Sequence, residues 1–151
     1  MSPKGKTYGN TSIRSLKGAD RVRLRPGVIF GSDDVSGCAH ALFEIVSNAT
    51  DEAKAGYGNR IEVYRFADHS IQVTDHGRGV PMDWNEAEQR WNWDLVYNEL
   101  YAGGKMEDDG LYNGSLGLNG LGACATQYAS AYFDVTSVRD GYEYRMHFEK
   151  G

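Results

Sequence analysis

Apolar residues recur along this chain with two different periods, and the switch between them divides it into helices and strands. Leu42, Val46, Ala49 and Ala53 fall at i, i+4, i+7 and i+11, one stripe on a helix from about Ser36 to Ala55 that Gly56 ends, with Gly58 close behind. The period then drops to two. Ile61 to Phe66 and Ile71 to Asp75 read as strands joined by a tight turn at Ala67-Asp68-His69-Ser70. A second helix is expected from about Asn92 to Ala102, with Asn92 as its N-cap, and a third over roughly Leu121 to Ser130. The chain closes with a hairpin, strand 132–139, turn Asp140-Gly141, strand 142–149. In its last strand Tyr142, Tyr144, Met146 and Phe148 face one way, and Glu143, Arg145, His147 and Glu149 the other.

Between these elements lie turns and loops. Arg25-Pro26-Gly27 reads as a turn, and residues 103–122 as a Gly-rich loop. Residues 1–18 are polar and aperiodic and read as a flexible arm, leaving 19–151 as one domain. Hairpins rather than repeated βαβ units predict an α+β two-layer sandwich, with helices on one face of a mostly antiparallel sheet.

Composition narrows the class. The chain has 151 residues, 40% hydrophobic and 25% charged, which suits one globular domain. No apolar run approaches the roughly 20 residues that cross a bilayer, and no apolar stretch follows the first lysines, so neither a membrane segment nor a secretory signal is expected. Cys38 and Cys124 lie far apart without metal-type spacing and are expected reduced and buried, in the cytoplasm. A net charge of −5 argues against the chain gripping DNA by itself. Its one basic cluster, Arg21-Val22-Arg23-Leu24-Arg25, reads as a solvated segment. The 19 glycines are well above the usual share of about 7%, and they cluster.

Three constellations could carry chemistry. Glu44, Asn48 and Asp51 share the helix face opposite the apolar stripe, with small Ala41 and Ala55 beside them. A carboxylate there can take a proton from a water attacking phosphorus, and an amide oxygen one turn on suits Mg²⁺. The same face is equally compatible with an ordinary polar surface in water. Next, Asp75-x-Gly77-x-Gly79 puts an acceptor at a strand end beside a backbone that a flat ligand can approach, although an Asx-type turn needs the same residues. Third, Ala102-Gly103-Gly104-Lys105 and Gly117-Leu118-Asn119-Gly120-Leu121-Gly122, entering a helix, offer free amides and a helix N-terminus to an anion, or are simply a flexible surface loop. No Gly-Lys-Ser/Thr follows, so this is not a Walker A loop, and no single strand of a βαβ unit precedes it.

Taken in order, an acid/amide helix, an Asp-x-Gly-x-Gly loop and a Gly-rich lid opening a helix resemble the GHKL ATPase superfamily. Within it, Leu24-Arg25-Pro26-Gly27-Val28-Ile29-Phe30-Gly31, Phe43 to Glu52, Ala102 to Lys105 and the lid resemble the B subunits of DNA gyrase and topoisomerase IV. The resemblance implies a Bergerat-type ATPase fold, with Glu44 as general base and His40 orienting it. It implies Asn48 on Mg²⁺, Asp75 on the adenine amino group, Asp51 on the same nucleotide-facing surface, and a Glu52–Arg78 ion pair beside the purine. Gly79, Val80 and Pro81 become its backbone and apolar walls. Lys105, with Gly103 and Gly104, and the amides of Gly117, Leu118, Asn119, Gly120, Leu121 and Gly122 would hold the phosphates. Arg139 falls where aminocoumarin-type inhibitors contact the family, and Tyr8 and Ile13 in an arm that reaches a second copy of the protein when ATP is bound.

The cofactors implied are ATP and Mg²⁺. The partners implied are a second copy of the same chain, and the family's A subunit and DNA through other parts of the protein. Ile29 stands where tyrosine is usual, Asn119 where many relatives have histidine, and Asn113 where lysine often precedes the lid. The family's fold continues beyond Gly151, with a threonine near adenine and then a domain that supplies a catalytic lysine. The chain is therefore expected to be a C-terminally incomplete ATP-binding domain with weak binding and little turnover. Another GHKL ATPase, or a binding module whose glycines only make turns, are the alternatives.

Overall fold

The computed structural model describes residue 9, residues 15–102 and residues 121–151. Among them are α1 (Asp20–Arg23), α2 (Pro26–Phe30), α3 (Val35–Lys54), β1 (Ile61–Arg65), β2 (Ile71–Asp75), β3 (Trp84–Asn85), β4 (Arg90–Trp91), α4 (Asn92–Asn98), α5 (Gly122–Ala129), β5 (Tyr132–Arg139) and β6 (Tyr142–Glu149). Every strand pairing described is antiparallel, in three two-stranded hairpins, β1–β2, β3–β4 and β5–β6. The expected α+β character stands.

The long helix α3 has definite ends. Asp34 caps it, its Oδ1 accepting from the Ser36 amide at 2.7 Å and from the Ser32 hydroxyl at 2.6 Å. At the other end Gly56 turns left-handed, with φ 88°. The Gly56 amide then donates to the Ala53 carbonyl at 3.0 Å and the Tyr57 amide to the Glu52 carbonyl at 2.9 Å. That reciprocal pair is a Schellman closure, which needs a residue without a Cβ penalty at Gly56.

The helical core joins Val22, Phe30, Cys124, Ala125 and Tyr128, with Ala41 and Leu100 packed against it. Val22 is 0% exposed, and burying such a side chain contributes about 1.5–3 kcal/mol. Tyr97 of α4 reaches the inner face of the C-terminal hairpin, its ring 6.2 Å from that of Phe133 and 5.8 Å from that of Phe148. There the two-residue alternation holds throughout. Phe133 faces Phe148, Val135 faces Met146 and Ser137 faces Tyr144 on the inner side.

Four expectations change. Arg25-Pro26-Gly27 is no free turn, because Pro26 opens α2 at its first position, where proline's missing N–H has no helical partner to lose. The basic cluster is not simply solvated. Arg23 Nη1 donates to the carbonyls of Tyr128 at 2.8 Å and Ser130 at 3.1 Å, placing a cation at the C-terminal end of α5 where the helix dipole favours one. The helix α4 is capped by Trp91 rather than Asn92 and stops at Asn98, well short of Ala102. The Asn98 carbonyl accepts from the Tyr128 hydroxyl, and its side chain from Gln127 at 3.1 Å, so α5 takes the groups that a further turn would use. Finally, Cys124 is buried, its thiol pushed up to about 11 by that burial, but Cys38 is exposed.

Candidate nucleotide site

The chemistry-bearing residues lie along α3 and the loop that follows β2. At the N-terminal end of this row His40 and Glu44 are one turn apart, with Nε2 3.7 Å from Oε1. The imidazole is held from behind, its Nδ1 3.1 Å from the Phe30 carbonyl oxygen, so Nδ1 donates and Nε2 is left to face the carboxylate. Across from Glu44 stands Gly122, the first residue of α5. A Cβ there would come within 2.6 Å of Glu44 Oε2 and 3.0 Å of Glu44 Cβ, so a larger residue would push the Glu44 side chain aside. Leu121 precedes it as N-cap without a side-chain cap.

Asn48 is half-buried one turn beyond Glu44, and Asp51 is 6% exposed. A buried carboxylate on the face opposite the apolar stripe shows that this polar face turns inward rather than to water.

At the C-terminal end the contacts are dense. Glu52 and Arg78 form a two-point pair, Nη2 to Oε1 at 2.7 Å and Nε to Oε2 at 3.1 Å, and the Arg78 amide adds a contact of 3.3 Å to Oε2. The guanidinium carbon lies 3.9 Å from the centre of the Tyr57 ring. Asp75, the last residue of β2, accepts from the Gly77 amide at 2.8 Å through Oδ1. A Cβ on Gly77 would meet Asp75 Oδ1 at 2.9 Å and Glu52 Oε2 at 3.1 Å, so Asp75 and Glu52 meet over that residue. Burial first, and then the Asp75 charge, push the Tyr97 hydroxyl up to about 12.

Three elements hold the loop. Besides Glu52 on α3, Glu62 on β1 lies 3.3 Å from His76. On β5, Ser137 bonds the Val80 backbone and Arg139 Nη1 donates to the Gly79 carbonyl at 3.0 Å. Pro81 is exposed and Val80 half-buried.

Of the residues singled out in the sequence, the fold thus groups Glu44, His40 and Gly122 at one end of α3, and Glu52, Asp75, Arg78, Gly79, Val80 and Arg139 at the other. Gly103, Gly104, Lys105, Gly117, Leu118, Asn119 and Gly120, and the arm residues Tyr8 and Ile13, lie outside the described residues. Sequence reasoning does not find Ser137 or Tyr57. The available signal for Ser137 is a small polar residue at an inward position between Val135 and Arg139. Two hollows, of about 270 and 730 Å³, lie against β5–β6, and neither is lined by Glu44, Asn48 or Asp75. Among the described residues no helix is long and apolar enough to cross a membrane, and no three or more His, Cys, Asp or Glu side chains group as a metal cage.

An acid/amide helix beside an Asp-x-Gly-x-Gly loop, with a glycine-led helix at its far end, is the arrangement that the resemblance to GHKL-type ATPase domains implies. Comparison with known proteins makes it narrower. No protein-family model matches the chain. The chain is 42% identical over 145 residues to the DNA gyrase B protein of Caulobacter vibrioides, covering 95% of this chain and 18% of that protein. It is 44% identical over 144 residues to the DNA topoisomerase 4 B protein of Enterococcus faecalis, covering 95% and 21%. The 43K ATPase domain of Thermus thermophilus gyrase B, solved in complex with an aminocoumarin, superposes with a TM-score of 0.68 at 31% identity, covering 88% of this chain and 32% of that one. Over about 95% of its length the chain is thus similar to gyrase B and topoisomerase IV B proteins, and its structure to the gyrase B ATPase domain. It spans about a fifth of the length of the curated relatives it matches.

Proposed function

We propose that the chain is the Mg²⁺-dependent ATP-binding part of a cytoplasmic type II DNA topoisomerase, whose hydrolysis of ATP resets a gate formed by two copies of the gyrase B-type protein. The observation that carries this is the spacing along α3. From Glu44 to Glu52 the helix rises about 12 Å, a separation that supports a purine-reading end and a phosphate-handling end along one helix.

At the purine end Asp75 accepts a hydrogen bond from the exocyclic amino group. Arg78, fixed by Glu52 and Tyr57, closes one side, and Val80 and Pro81 form the apolar wall. At the phosphate end Glu44 takes the proton of the attacking water as general base, and His40, fixed by the Phe30 carbonyl, steadies the carboxylate. The α5 N-terminus, with the Leu121 and Gly122 amides, faces the developing negative charge.

Asn48 suits Mg²⁺, since its single neutral oxygen fits an ion that keeps several waters and binds phosphate oxygens, and the described residues offer no all-protein cage. When bound, the ion neutralises charge on the phosphates. Gyrase B and topoisomerase IV B proteins match the chain about equally, and strand passage with A subunits and DNA belongs to the whole protein.

The test is titration of Mg²⁺ and a non-hydrolysable ATP analogue into wild type and Asp75→Asn. Saturable binding weakened roughly 10–100-fold in the variant is expected, the scale of a lost substrate-reading hydrogen bond in a closed site. Equal affinity removes Asp75 as the purine reader, and no binding to wild type removes the reading altogether.

A further inference from the structure

The loop that carries the apolar wall has no strand ladder of its own, yet it lies directly on β5. Gly79 has φ 75°, and a Cβ there would overlap the Val138 carbonyl oxygen and come within 3.0 Å of Ser137 Oγ. Contact that close between two backbones leaves little slack, and the groups between them must be satisfied from within.

One side chain does this. Ser137 is 5% exposed and points inward from β5. Its hydroxyl accepts from the Val80 amide at 2.9 Å and donates to the Val80 carbonyl at 3.2 Å. A single hydroxyl can do both, having one proton and two lone pairs. It therefore replaces a strand partner for one residue across 57 positions of sequence. Two residues on along the same face, Arg139 bonds the preceding carbonyl, that of Gly79, at 3.0 Å. Upstream, the Asp75 carboxylate is tied to the Gly77 amide. Only Arg78 then separates the Asp75–Gly77 turn from the segment clamped on β5.

We propose that Ser137 is a positioning residue for the nucleotide: by clamping the Val80 backbone on β5 it sets the gap between the apolar wall and the purine-reading carboxylate of Asp75. This rests on the reading of the site as an adenine-nucleotide site. Removing the hydroxyl leaves a half-buried amide and carbonyl without their partner, and the wall moves to find water. The purine slot widens while Asp75 and Glu44 stay where their own elements hold them.

The test uses Ser137→Ala and Ser137→Thr in the protein, with titration of a non-hydrolysable ATP analogue and Mg²⁺, thermal midpoints, and amide hydrogen exchange at Val80. In folded wild type the Val80 amide is expected to be protected although it belongs to no ladder. Ser137→Ala should expose it and weaken analogue binding roughly tenfold, the scale of one lost hydrogen bond. Ser137→Thr, which keeps the hydroxyl, should restore both. An unprotected Val80 amide in wild type overturns the proposal even if the alanine variant does not fold. So does wild-type affinity in a folded Ser137→Ala, or equal loss in both variants, which makes side-chain volume rather than the hydroxyl the cause. Failure of wild type itself to bind the analogue fells the adenine reading, and this inference with it.

Discussion

The two ends of α3 are built differently. At its C-terminal end, Glu52, Asp75 and Arg78 are fixed by contacts that span the chain, from Tyr57 to Ser137 and Arg139. At the N-terminal end, Glu44 has a histidine 3.7 Å away and a glycine in front of it. Among the described residues it makes no two-point pair of the Glu52–Arg78 kind. The end proposed to read the purine is thus tied down by its own contacts, whereas the end proposed to handle the phosphates is held by fewer contacts among the described residues. Such a division fits the two tasks. Recognition benefits from a rigid template, while a general base needs a free lone pair until the reacting water is in place.

The largest expected effect tests the Glu44 end. Glu44→Ala, placed in the complete gyrase B-type protein, should lower hydrolysis by roughly 10²–10⁴-fold, the usual contribution of a general base, and leave analogue binding near wild type. Steady-state ATPase assays beside a binding titration read both, and retained turnover removes Glu44 from the role.

Breaking the rigid end should show a different signature. Gly79→Ala forces a left-handed residue and a Cβ into the Val138 carbonyl, a cost of about 2 kcal/mol or more. Chemical denaturation should show that loss together with weaker binding; an unchanged midpoint would mean the loop is not held against β5.

A smaller change is expected for Arg78→Ala. The pair with Glu52 is partly solvated, the arginine side chain being 41% exposed, so its loss should cost less than about 1 kcal/mol of stability and only a few-fold in analogue affinity. A loss as large as that of Asp75→Asn would place Arg78 on the nucleotide itself.

The smallest effect lies on the helix that carries both ends. The Ser32 hydroxyl and then the Ser36 amide hold the Asp34 carboxyl below its ordinary range. A depressed folded-state value means that the cap's electrostatic contribution is present above the unfolded value and fades as pH falls through the folded one. Thermal midpoints of wild type should therefore fall slightly more steeply below about pH 4 than those of Asp34→Asn, which keeps a capping oxygen without the titration. Parallel curves would show that the cap carries no charge-dependent part.

Much of this is legible in the chain itself, where local signals are strong. The α3 boundaries follow from the sequence to within a residue, and the C-terminal hairpin with its Asp140-Gly141 turn follows in full, because period and turn chemistry agree there. What escapes is decided at long range. The shortened α4 follows from Tyr128 and Gln127 of α5 taking up Asn98. The β3–β4 hairpin, with Trp84 and Trp91 edge to face at 5.6 Å, has strands of two residues, too short to show any period. For the candidate site, spacing offers Glu44, Asn48 and Asp75 as candidates and the family resemblance supplies their roles, whereas Ser137 bonds a residue 57 positions away and leaves only an out-of-place serine as a trace.

The closure at Gly56 has one more consequence. It delivers Tyr57 beneath the Arg78 guanidinium directly from the helix end, with no slack between. Each helical residue advances the chain by about 1.5 Å and rotates it by about 100°. Inserting or deleting a single residue between Glu52 and Gly56 would swing the aromatic ring off the arginine altogether, so this short surface segment behaves as a ruler and should tolerate changes of side chain far better than changes of length.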